Sequence, residues 1–193
     1  MGRTITKEEM ANLTLEEYVG RIVVVQSLDE LKEAIDYLLR FDSIGFDTET
    51  RPTFKKGYFN NVALIQLATE DICFLLRLSK IGSHQSLIQL LSNPKIQKIG
   101  LSLKDDFHNL GRTMRFVPQG FIDLQKIVME YDIADNSLQK IYALLFGKKI
   151  SKNQRLSNWE AEELSEAQKK YAALDAWACL KIYEELCAIK KYI

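Results

Sequence analysis

This sequence predicts an α/β domain built on a mixed central β-sheet. Three observations predict it. Short apolar, partly β-branched runs at residues 21–26, 44–49, 62–68, 72–76 and 98–101 have the length and composition of strands. The runs at 62–68 and 72–76 are joined only by Thr69-Glu70-Asp71, and so tight a connection implies antiparallel pairing. From Lys98 onward, strand and helix patterns alternate and then give way to helices, as in α/β domains.

In chain order, residues 5–18 read as one or two short helical turns, an arm packed on the domain. Residues 21–26 (Arg-Ile-Val-Val-Val-Gln) form the first strand. Ser27 caps a helix through about residue 39, whose apolar stripe is Leu31, Ala34, Ile35, Leu38 and Leu39. The next strand, 44–49, ends in Asp47-Thr48-Glu49. A polar loop, 51–61, follows, with Pro52, Gly57 and the basic residues Arg51, Lys55 and Lys56. After the antiparallel pair, 86–91 is helical and stops before Asn93-Pro94. Strand 98–101 leads into a helix over 104–114, and 120–123 is a short strand. Helices follow at 124–131 and 137–146, the second ended by Gly147. Residues 148–159 are a basic, irregular connection. The last helix spans 165–192, opened by a capping box in which Ser165 caps and Gln168 reaches back. There is no internal repeat, low-complexity tract or linker, so residues 21–193 are expected to form one domain and residues 1–20 its helical arm.

Composition removes several function classes. At 193 residues the chain can bury a sizeable core, with 47% hydrophobic and 27% charged residues. No apolar run approaches the ~20 residues that span a bilayer, and residues 1–15 lack the apolar centre of a signal peptide; a cytoplasmic location is the default expectation. Three cysteines, Cys73, Cys179 and Cys187, have neither zinc nor disulfide spacing. The two histidines, His84 and His108, sit in no metal-binding motif. Lys plus Arg and Asp plus Glu each total 26, so bulk charge does not drive binding to nucleic acid, although a local basic rim is compatible with neutrality.

The chemistry is carried by acids. Asp47 and Glu49 point to one face of their strand, about 7 Å apart. They are either an acidic strand end running into solvent or part of a site for a divalent cation, which takes oxygen ligands. Asp106 follows the strand at 98–101 and sits at the rim of the helix face carrying Leu103, Phe107 and Leu110. Its neighbour Asp105 serves the helix dipole or solvent. Tyr171 and Asp175 are at i and i+4 on one helix face, among Ala172, Ala173, Leu174 and Ala176. A carboxylate in that setting needs a partner or a metal. If the four acids converge, their repulsion requires cations, and two divalent ions cancel four charges.

Taken together, Phe46-Asp47-Thr48-Glu49, the segment 100–110 with Asp106, and Tyr171-x-x-x-Asp175 resemble the three motifs of the DEDDy branch of the 3′–5′ exonucleases, near ribonuclease D and the Werner-type exonuclease domain. Residues 62–68, Ser157-Asn158-Trp159 and Leu164-Ser165 with Gln168 extend the likeness to about 21–187. The resemblance implies a ribonuclease H-like fold and release of single nucleotides from a 3′ end of DNA or RNA. It implies two divalent ions, Mg²⁺ or Mn²⁺. Asp47, Glu49 and Asp175 would ligate the first, and Asp47 and Asp106 the second. Tyr171 would position the attacking water, where the sister branch has His. Thr48, through its backbone, and Lys152, from the basic group Lys148, Lys149, Lys152 and Arg155, are the expected substrate contacts. Trp159 and Trp177 can stack on bases or pack in the core. Ribonuclease D carries extra helical domains after the catalytic one and Werner-type proteins a helicase. Residues 1–193 contain no Walker motif and are expected to hold neither addition. The alternative is a nucleic-acid-binding or adaptor module of the same fold without turnover.

Overall fold

A computed structural model describes residues 2–53, 55 and 57–190. The elements are α1 (Lys7–Ala11), β1 (Thr14–Leu15), β2 (Arg21–Val25), α2 (Leu28–Leu38), β3 (Ser43–Thr50), β4 (Val62–Ala68), β5 (Ile72–Arg77), α3 (Leu78–Ile81), α4 (Gln85–Leu91), β6 (Gln97–Gly100), α5 (Leu103–Thr113), β7 (Phe121–Asp123), α6 (Leu124–Ile127), a 3-10 turn (Val128–Tyr131), α7 (Leu138–Phe146), β8 (Lys148–Lys149) and α8 (Glu166–Lys190). The main sheet has six strands in the order β2-β5-β4-β3-β6-β7. The hairpin predicted between residues 62–68 and 72–76 is there: β4 is antiparallel to β5, and also to β3. The outer pairs, β2 with β5, β3 with β6 and β6 with β7, are parallel. The mixed α/β class is therefore the one observed.

Strand alternation divides the core into two layers. Ile44 and Phe46 join Leu31, Leu38, Leu87, Leu91 and Leu110 on the side of α2, α4 and α5. Leu64, Ala68 and Leu75 join Ile141, Tyr142, Ala172, Ala173 and Ala176 on the side of α7 and α8. The small residues of α8 let it lie close on the sheet. A Cβ built on Gly45 would meet the Ala176 carbonyl oxygen at 2.0 Å, so β3 touches the backbone of α8 at that point. β4 is central, and all seven of its residues are buried.

The helix starts follow their local signals. Ser27 with Glu30 and Ser165 with Gln168 close reciprocal caps. Gly147 ends α7 at φ 63°. Several expectations are refined. The helix expected over 124–131 is a single α turn continued as a 3-10 turn, and Asp132 at φ 60° stops it. The connection expected to be irregular over 148–159 starts with a strand pair, because Thr14–Leu15 run parallel to Lys148–Lys149. That pairing straps the N-terminal arm to the domain, helped by buried Glu16, which accepts from Tyr142 Oη at 2.7 Å and Lys148 Nζ at 3.0 Å. Residues 191 and 192 of the predicted last helix lie outside the described residues.

Candidate active site

β3 and β6 run parallel, so their carboxyl ends, and the helices that follow β6, gather at one end of the sheet. There one oxygen from each of Asp47, Glu49 and Asp175 lies within 4.8 Å of the other two. Asp47 and Glu49 come from alternate positions of β3 and face α8, as Gly45 does. Asp175 comes from α8 itself, beside the Gly45–Ala176 contact. Just past Glu49 the β3–β4 register shifts, and Thr50 pairs with Val62 across the bulge as the strand leaves the site.

Asp106 is not part of this triad. It rises from α5 on the other side of the sheet, and its Oδ1 accepts a hydrogen bond from Thr48 Oγ1. Thr48 has the opposite parity to Asp47 and Glu49, so β3 serves both faces. Of the two adjacent acids, Asp106 is the half-buried one engaged by Thr48, and Asp105 is exposed. The start of α5 is held from the next strand. Asp123 accepts from the backbone amides of Ser102 (2.9 Å) and Leu103 (3.1 Å), and also from Gln125 N (3.1 Å). This acceptor stabilises Ser102 in the left-handed region, φ 63°, which non-glycine residues avoid.

The acids repel one another and are poorly hydrated. Burial, then the charges of Asp175, Asp106 and Glu49, push Asp47 well above the usual carboxylate range. Burial and the charges of Asp175 and Asp106 raise Glu49 to about 9, with Arg155 pulling the other way. Burial raises Asp106 to about 6 against the Thr48 hydrogen bond. Burial raises Asp175 to about 7, offset by the Tyr171 hydroxyl and by Lys152. Tyr171, one helical turn before Asp175, is raised by burial and by the charges of Asp175, Glu49 and Asp47. Asp175 Oδ1 is buried with no hydrogen-bond partner in the protein. An all-oxygen cluster with an unpaired buried oxygen and shared excess negative charge suits a hard divalent cation such as Mg²⁺ or Mn²⁺. The residues present fit the metal that the motifs imply.

Asp47 and Asp175 line a cavity of about 320 Å³ with Leu101, Asn136, Gln139, Lys152 and Arg155. Two of the four basic residues in the 148–155 segment thus face the acids. The other two serve the arm: Lys148 pairs with Glu16, and Lys149 Nζ donates to the Ala11 carbonyl at 2.6 Å. Arg51 pairs with Glu160 at 3.3 Å, and Lys55 lies over the Tyr58 ring at 4.0 Å. Lys56 lies outside the described residues. Trp159 is buried beside Tyr171, with ring centres 6.1 Å apart, and Trp177 donates to the Glu70 carbonyl; both pack rather than face the cavity. His84 caps α4, and His108 contacts Arg112.

Sequence reasoning passed over three groups near the site. Asp123 shows itself only as the last residue of a short strand. Gln139 and Asn136 belong to an amphipathic helix start with no spacing signal. Gln66 was visible as the one polar residue in the apolar run 62–68.

The 3′–5′ exonuclease family model matches residues 22–189. The chain belongs to the 3′–5′ exonuclease family. A mouse (Mus musculus) relative, the bifunctional 3′–5′ exonuclease/ATP-dependent helicase WRN, is 35% identical over 185 residues, covering 91% of this chain and 13% of that protein. The chain thus spans a small part of that relative's length. Among solved structures, the Nibbler EXO domain of Aedes aegypti is similar with TM-score 0.81 and 24% identity, over 93% of both chains. Ribonuclease D of Trypanosoma brucei, crystallised with RNA U12, is similar with TM-score 0.76 and 20% identity, over 87% of this chain and 63% of that one. The ribonuclease H-like fold and the DEDDy-type assignment implied by the motifs both stand. Among the described residues no helix is long and apolar enough to cross a membrane.

Proposed function

We propose that this chain removes single nucleotides from the 3′ end of single-stranded DNA or RNA in a reaction that requires divalent metal. The observation that carries this reading is the Asp47, Glu49, Asp175 oxygen cluster, two of whose acids, Asp47 and Asp175, line one cavity with Lys152 and Arg155. Residues 21–193 constitute the exonuclease domain, and residues 1–20 are an arm strapped to it.

Asp47, Glu49 and Asp175 would hold one Mg²⁺ or Mn²⁺, and Asp47 with Asp106 a second. When bound, the ions supply positive charge for the phosphate oxygens and lower the pKa of water. The chain's own groups do the rest. Lys152 and Arg155 face the acids and bind the anionic oxygens of the terminal phosphodiester. The Tyr171 hydroxyl, one helical turn before Asp175, holds and orients the attacking water. The Thr48 hydroxyl is committed to Asp106, which leaves the Thr48 backbone for the terminal nucleotide. Beyond the cavity, the strand's path follows the 51–61 loop. There Tyr58 and Phe59 are 58% and 70% exposed, and Arg112 lies over the Phe59 ring at 4.3 Å. Exposed rings beside cations suit stacking of successive bases without sequence preference. The RNA-bound relative supports RNA as one substrate class.

The test is direct. Single-stranded DNA and RNA labelled at the 5′ end are incubated with Mg²⁺ or Mn²⁺, and a ladder shortened from the 3′ end is expected. Asp47→Ala and Asp175→Ala should abolish it and leave the protein folded. A folded wild-type protein that shortens neither substrate refutes the reading and returns the chain to a binding module. Full activity in Asp47→Ala refutes the site.

A further inference from the structure

Gln66 has no role in the site as described, yet it is the most anomalous side chain near it. It is fully buried, and neither its Nε2 nor its Oε1 meets a hydrogen-bond partner in the protein. Its strand is surrounded by apolar residues. Across β4–β5 its partner is Leu75, and along β4 its same-face neighbours are Leu64 and Ala68, all in the layer under Ala172, Ala173 and Ala176 of α8. An amide left unpaired in such surroundings destabilises the fold, whereas leucine, close to glutamine in size, would not. Stability alone would put leucine here.

The register explains what the amide faces. Across β3–β4, Gln66 pairs with Asp47, and paired residues carry their side chains on one face with Cβ atoms about 4.5–5.5 Å apart. Asp175, whose Oδ1 is also unpaired and buried, enters the same layer from α8. An unmatched N–H donor thus stands in the same layer as the unmatched Asp175 oxygen and beside the Asp47 carboxylate, with apolar neighbours on its other sides. We infer that Gln66 is a positioning residue for Asp47. Its amide N–H is placed to donate to the Asp47 carboxylate when the acids hold a cation, and so fixes which oxygen is turned to the cation. Partners of this kind, behind a ligating carboxylate, commonly change metal affinity 10–100-fold when removed. The fold accepts an unstable residue in the centre of its sheet because the site uses it.

The inference rests on reading the acids as metal ligands, and the experiment separates the two. Gln66→Leu and Gln66→Met are compared with wild type by melting temperature in EDTA, by Mn²⁺ affinity from calorimetry or electron paramagnetic resonance, and by kcat and KM on a single-stranded substrate. The expected result has a sign that a merely structural residue would not produce. The metal-free variants melt higher than wild type, bind Mn²⁺ at least about tenfold more weakly, and lose kcat with KM nearly unchanged. Unchanged Mn²⁺ affinity in both variants overturns the role of Gln66 and leaves the metal site standing. Variants that melt lower in EDTA show that the amide is already bonded for structure, which also overturns it. Wild-type protein that binds no Mn²⁺ overturns the site reading and the Gln66 role together.

Discussion

Gly45→Ala tests the geometry that brings Asp175 to Asp47. The new methyl would lie 2.0 Å from the Ala176 carbonyl oxygen and 2.8 Å from its carbon. Ordinary contact starts at 3.4 Å, so one side must yield by about 1.4 Å. The obstacle is a carbonyl in the hydrogen-bond ladder of α8, which cannot swing aside as a flexible side chain would. The helix must therefore retreat from the sheet, and it carries Asp175, the residue before Ala176, with it. A misplacement of about 1 Å costs roughly 10²-fold in rate. Overpacking of this kind costs roughly 1–3 kcal/mol, or roughly 2–12 °C in melting temperature for a domain of this size. The assay is kcat on labelled single-stranded substrate, with melting temperature in parallel. Gly111→Ala is the control, because a Cβ at Gly111, in helix α5, meets nothing within 4 Å. There the helix gains up to about 1 kcal/mol, and the rate should hold. Wild-type rate and melting temperature in Gly45→Ala would refute the argument that close contact between β3 and α8 builds the site.

Four further outcomes follow from the same structure. In EDTA, melting temperature should fall as pH rises from about 4 to 9. Glu49, Asp175 and Asp106 titrate near 9, 7 and 6 in the fold, above their unfolded values, so the native state binds more protons and loses that advantage as they ionise. Stabilisation by Mg²⁺ or Mn²⁺ should grow over the same range, and a flat or rising EDTA profile contradicts the clustered charges. Tyr171→Phe should lower kcat by about 10² or more with little change in melting temperature; near-normal kcat removes the hydroxyl from the reaction. Asp123→Ala should destabilise by about 1–2 kcal/mol through the lost cap on α5 and lower kcat through Asp106, as read by calorimetric melting and steady-state rates. Phe59→Ala should raise KM on single-stranded substrates about fivefold or more, from one lost stacking face, with kcat on a short substrate unaffected; an unchanged KM moves the strand's path elsewhere.

What could be read from the sequence was whatever is local in the chain. Asp47 and Glu49 share a face because a strand alternates. Tyr171 and Asp175 share a face because a helix repeats every 3.6 residues. The caps at Ser27 and Ser165 and the stop at Gly147 are written within a few residues of one another. The hairpin followed from a three-residue connection. The basic segment shows where this ends. Lys148, Lys149, Lys152 and Arg155 look equivalent in sequence, yet two are turned to the arm and two to the acids. The difference is set by Glu16, 132 residues from Lys148, and by a strand pair only two residues long.

Asp106 makes the same point about the site itself. Its place was legible as an acid near the start of a helix after a strand, but that pattern is common for dipole reasons alone. What distinguishes it from Asp105 is Thr48, a residue of β3 on the face away from Asp47 and Glu49. One strand therefore presents two acids to α8 and, from the position between them, a hydroxyl to α5. The triad on one side of the sheet and Asp106 on the other are thus joined through three consecutive residues of β3, and Asp123 holds α5 at the height where Thr48 can reach Asp106. Because each of these links joins separate elements, a change in the sheet's register would move every one of them at once. The fully buried strand β4, with Gln66 opposite Asp47, is what keeps that register in place.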